Sequence, residues 1–138
     1  MNTSEKWFKW DPCVDGIVGK YCLTRIDDKL DKLNIFLISK ESDQKIKVCF
    51  DSVWSYCNSD ETSRLHLITE LSERHGDDFY TKWSFFKVED SSYLKWLSEQ
   101  SSTITDRLKL SHFVIMGIDF IVDVIAVDDP TVIIINMK

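Results

Sequence analysis

The segment from Leu110 to Val127 constrains the fold more than any other. Two runs of strand-forming residues, Leu110 to Met116 and Phe120 to Val127, are separated only by Gly117-Ile118-Asp119. With glycine leading the connection, the segment reads as an antiparallel hairpin turning at Gly117-Ile118. In that register Phe113 lies opposite Val122, Ile115 opposite Phe120, Val114 opposite Ile121 and His112 opposite Asp123. Alternate residues of a strand share a face. Phe113, Ile115, Phe120, Val122 and Val124 therefore line one face and belong against a core. His112, Val114, Ile121, Asp123 and Ile125 line the other.

Asp123 is out of place in so apolar a strand. An unpaired buried charge is costly, and His112 is the partner the pairing offers. A carboxylate beside the ring favours the imidazolium. The ordinary role of such a pair is a cross-strand contact worth about 0.2–1 kcal/mol. The functional alternative is a dyad that orients a general base or a binding contact. Ser111 is adjacent in sequence and points to the opposite face, so it is no nucleophile for the dyad. The chain has no glycine-rich phosphate loop, HExxH, GxSxG or paired-carboxylate motif.

The rest of the chain alternates strand and helix signals. Lys20 to Ile26, Leu33 to Ile38 and Ile46 to Phe50 read as strands, with a charged connector at Asp27 to Lys32 and a polar hairpin loop at Ser39 to Lys45. In the third of these strands Ile46, Val48 and Phe50 share one face, and Lys47 and Cys49 share the other. Asn58 and Glu61 have the spacing of a capping box, followed by Leu65, Ile68 and Leu71 at helical spacing and a stop at Gly76. Phe79 to Val88 reads as a strand. Asp90 caps a second helix from Ser91 to Ser101, and Thr131 to Met137 follows Pro130 as a last strand. The expectation is one α+β domain over residues 1–138, a mostly antiparallel sheet of about six to seven strands with two main helices on one face.

Composition narrows the function classes. The 138 residues carry a net charge of −6, which disfavours nucleic acid and anionic membrane surfaces as partners. The acidity is concentrated. Residues 51–78 hold seven acids against Arg64 and Arg74, and residues 111–138 hold four acids against Lys138. Asp119 and Asp123 interrupt the most apolar stretch, so half-buried strands account for it better than a membrane span. The N-terminal residues lack the apolar run of a secretory signal, which makes the cytoplasm the expected location. Cys13, Cys22, Cys49 and Cys57 lack CxxC spacing and are expected as free, buried thiols. Neither a metal site nor a cofactor is expected.

The stretches FDSVWSYCNSDETSRL from Phe50, VEDSSYLKWLSEQS from Val88 and LSHFVIMGIDFIVDVIAVDDP from Leu110 resemble small acidic bacterial proteins of the immunity type. Such proteins belong to polymorphic and contact-dependent growth inhibition toxin systems. The resemblance covers about the C-terminal two-thirds of the chain and carries over no residue map, because immunity proteins span many folds. It implies a non-enzymatic, stoichiometric inhibitor of a cognate toxin domain, often a nuclease with a basic cleft. An acidic domain suits electrostatically steered capture of a basic partner. Asp60, Glu61, Asp77, Asp78, His112 and Asp123 are the candidate partner-binding residues. Two other classes remain: a ligand-binding or interaction module without a toxin partner, and an enzyme built on His112 and Asp123.

Overall fold

The central hairpin is sandwiched: a second sheet covers one of its faces and helices cover the other. The computed structural model describes residues 5–17, 19–30 and 32–135. Its strands are β1 (Lys6–Lys9), β2 (Tyr21–Lys29), β3 (Lys32–Ser39), β4 (Lys45–Asp51), β5 (Val53–Asp60), β6 (Phe85–Glu89), β7 (Ser111–Met116), β8 (Phe120–Ala126) and β9 (Thr131–Ile134). The helices are α1 (Leu65–His75), the single turn α2 (Asp78–Thr81) and α3 (Ser92–Gln100). The strands form two antiparallel sheets, ordered β1-β6-β7-β8-β5 and β2-β3-β4-β9. The fold is α+β as expected, but with nine strands in two sheets among the described residues.

The two sheets meet over a dry core. Leu33, Ile35 and Leu37 of β3 and Ile46, Val48 and Phe50 of β4 pack against Phe113, Ile115, Phe120, Val122 and Val124. Phe113 anchors the contact, its ring edge-on to Phe50 at 5.7 Å and to Trp10 at 5.8 Å. Each fully buried side chain of this size contributes about 1.5–3 kcal/mol. On the opposite face of the five-stranded sheet, Leu67 and Leu71 of α1 pack on Trp7, Phe86, Val114, Met116 and Ile121.

Several local expectations are corrected. Asn58 is not a helix cap, because β5 runs on to Asp60 along β8. Asp60 does the capping, and a 3-10 turn over Glu61–Arg64 precedes α1. That turn rotates the helix, so Leu67 and Leu71 are buried while Leu65 stays 59% exposed. Gly76 ends α1 at a φ of 83°, as expected. The strand expected over Phe79–Val88 begins only at Phe85, after α2. β1 was not anticipated; its lysines hide the strand signal around the buried Trp7. The connector at Asp27 is strand as far as Lys29. The expected last strand reaches Met137, which lies outside the described residues.

The hairpin keeps its predicted faces but not its register. Phe113 pairs with Val124, Val114 with Asp123 and His112 with Ile125, a shift of two residues. An even shift moves no side chain to the wrong face. The cause lies in the loop. Gly117 does not supply the positive φ; Asp119 does, at 68°. Glycine is needed at 117 because a Cβ there would overlap the Tyr21 carbonyl oxygen and the Phe120 ring. The Ile118 N–H donates to that carbonyl at 2.9 Å, fastening β2 to the hairpin loop.

Candidate functional site

His112 and Asp123 project from β7 and β8 toward the helices, and they touch diagonally across the pair. His112 Nε2 lies 2.8 Å from Asp123 Oδ2, with the two residues 3% and 4% exposed. An ionised carboxylate only accepts, so Nε2 carries the proton. The other ring nitrogen, Nδ1, lies 2.7 Å from Ser91 Oγ, and in the neutral ring it accepts the serine proton. Ser91 in turn accepts the Leu94 N–H at 3.0 Å, which makes Ser91 the N-cap of α3 in place of the expected Asp90. Asp90 instead takes a positive φ of 53°.

Arg64 completes the network by donating Nη1–H to Asp123 Oδ1 at 2.9 Å. Burial alone would push the Asp123 carboxyl up. The His112 hydrogen bond and the Arg64 charge outweigh burial and hold it below the ordinary value of 3.8. Tyr93 sits edge-on to the imidazole at 5.5 Å, and its hydroxyl meets Ser55. Burial is the main cause of the raised Tyr93 pKa.

Serine, histidine and aspartate in a row look like a nucleophilic triad, but the geometry is that of a strut. Ser91 is 3% exposed, and its oxygen is committed to both His112 and the helix N-terminus. The row ties α3, β7, β8 and the start of α1 together. Above it opens a cleft of about 390 Å³, lined among others by Glu5, Trp7, Cys57, Arg64 and Tyr93. Glu5 is itself buried and accepts from the Ser92 N–H at 2.8 Å and the Ser92 hydroxyl at 2.6 Å. The Trp7 Nε1 is buried without a hydrogen-bond partner among the described residues.

Of the candidate acids at the surface, one pair precedes α1 and the other follows it. Asp60 is exposed and accepts the Thr62 N–H at 3.0 Å, while the half-exposed Glu61 donates its N–H to the Asp119 carbonyl at 3.3 Å. Asp77 and Asp78 are exposed at the far end of α1, roughly 16 Å away at 1.5 Å per residue. Asp78 pairs with Lys82 at 3.5 Å. His112 and Asp123 are buried on the floor of the cleft. Asp129 lies beyond the opposite end of β8, near Lys87 at 3.7 Å.

All four cysteines are free, as expected, but none is buried: Cys13 and Cys57 are exposed, Cys22 and Cys49 half-buried. Among the described residues no group of three His, Cys, Asp or Glu side chains could hold a metal ion. No described helix is long and apolar enough to cross a membrane. Compared with family models, with curated proteins and with solved structures, the chain matches none.

Proposed function

We propose that this protein is a stoichiometric inhibitor of the immunity type, which captures a basic toxin domain. The observation that carries the reading is the internal commitment of Ser91, His112 and Asp123. The side chains best suited to catalysis are consumed in holding α3 to the sheet. What the surface offers instead is carboxylates on turns and helix ends, including Asp60, Asp77 and Asp78. Exposed acids of this kind steer a cationic partner and set the association rate. A pull-down from the native host, read by mass spectrometry, tests the reading. The expected outcome is a basic protein that forms a one-to-one complex and arrests growth when produced alone. Recovery of no basic partner would remove the immunity reading.

A second reading, a ligand-binding module, is favoured by the cleft above His112 and Asp123. Its wall contains a buried indole N–H without an acceptor. A fragment screen followed through the Trp7 indole resonance tests it, and an unmoved resonance across the screen counts against it.

A further inference from the structure

We infer that β5 is the edge at which this protein takes up an extended, basic segment of its partner. The inference deepens the inhibitor reading and rests on it for the partner's identity. An exposed strand edge offers unpaired N–H and C=O groups, and proteins blunt such edges with lysine, proline, shortness or bulges. Among the described residues the sheets leave four edges: β1, β5, β2 and β9. β1 carries Lys6 and Lys9, and β2 carries Arg25, Lys29 and a register break after Leu23. β9 has four residues and follows Pro130. β5 is different. It runs eight residues, Val53–Asp60, with no lysine, arginine or proline, and its one irregularity is a bulge at Trp54.

The surroundings of β5 suit an apolar and basic occupant. Two hollows lie between β5 and β2, of about 860 and 470 Å³. The Tyr56 hydroxyl donates to Asp28 at 3.0 Å and ties the two strands together. Trp54 is 47% exposed and Leu30 is 99% exposed at the larger hollow. The charged residues lining both hollows are Asp28, Asp51, Asp60 and Asp119 against Lys29 and Lys32, four acids to two bases. Lys29 is already 3.8 Å from Asp27, and Lys32 is the cross-strand partner of Asp51. An incoming strand would add to the five-stranded sheet beyond β5. Its apolar side chains would cover Trp54 and Leu30, and its lysines or arginines would meet the carboxylates of Asp28, Asp60 and Asp119.

The test uses the full chain and two synthetic, disulfide-closed β-hairpin peptides. One alternates lysine with valine on its outer strand, and the other has glutamate in place of each lysine. Amide hydrogen exchange is followed residue by residue. The lysine hairpin is expected to slow exchange along β5 by roughly tenfold, and the glutamate hairpin to leave it unchanged. Asn58→Lys, at an exposed position of β5, should abolish the protection while keeping the wild-type melting temperature. Equal protection by both peptides, or protection at β1 or β9, overturns the inference. So does slow β5 exchange that depends on the protein's own concentration, which would give the edge to a second copy of the chain. A captured partner whose complex leaves β5 exchange untouched overturns the edge but spares the inhibitor reading. Protection by the lysine hairpin with no basic partner in the pull-down does the reverse.

Discussion

The two faces of the five-stranded sheet solve the same burial problem in different ways. The face toward the second sheet is filled by Phe113, Ile115, Val122 and Val124 with no charged group among them. The face toward the helices carries a buried acid, an imidazole and a serine among its apolar residues. Apolar packing tolerates an even slip of register, because every side chain keeps its face. The polar network adds a condition of its own: Asp123 of β8 meets His112 of β7 and Arg64 at the start of α1 together, at 2.8 and 2.9 Å. The dry face supplies adhesion, and the polar face supplies alignment.

The comparison can be broken from either side. Phe113→Ala should cost about 3–5 kcal/mol in urea unfolding, through lost transfer energy and a cavity. Asp123→Ala should cost about as much, ~3–5 kcal/mol, because it strands His112 and Arg64. Acidity separates the two effects. Asp123 has a lowered pKa in the fold, so its contribution is complete above 3.8 and is lost as pH falls through the lower folded value. The stability gap between wild type and Asp123→Asn should therefore close in acid, while the gap to Phe113→Ala persists. A gap to Asn that stays constant down to unfolding would show that the carboxylate charge is not what the network uses.

Smaller effects sharpen the contrast. Ser91→Ala removes a cap and leaves His112 Nδ1 unpaired, and should cost about 1–2 kcal/mol. Lys20 donates to the Met116 carbonyl, and burial pulls its ammonium down to about 8 from 10.5 against the opposing effect of Glu61. The unfolded chain then binds the proton more tightly, so stability should rise as pH climbs from about 8 to 10.5. Lys20→Met should flatten that rise, which calorimetry across the interval would show. Asp60→Lys with Glu61→Lys removes the cap ahead of α1 and should cost about 0.5–2 kcal/mol. The same double variant should slow association with a basic partner by about tenfold at low salt.

The sequence disclosed faces better than neighbours. Period-two alternation alone put Ile46, Val48 and Phe50 on one face and set Phe113 and Val122 against the core, where all five lie. Asp123 betrayed its need for a partner because it interrupts an apolar run, and His112 was within reach. Arg64 and Glu5 gave no such signal, since their contacts are tertiary and long in sequence separation. Ser91 was legible in part: Asp90-Ser91-Ser92 before an apolar helix is a capping signal, but the sequence points to Asp90 and the cap lies one residue on. β5 was missed because its outer positions, Trp54, Cys57 and Asn58, are polar or exposed and mimic a loop. The division into two sheets was hidden because an inner-facing residue looks the same whether a helix or a sheet covers it.

One consequence of the layered arrangement concerns time rather than energy. β7 and β8 are flanked by strands on both sides and covered on both faces, so their amides open only when the whole molecule does. β1 and β5, the two edges of that sheet, have a single strand neighbour each. Exchange should therefore run as a gradient across one sheet, slowest at the hairpin and fastest at the two edges, β1 and β5. The molecule would breathe from its rims while its centre stays shut.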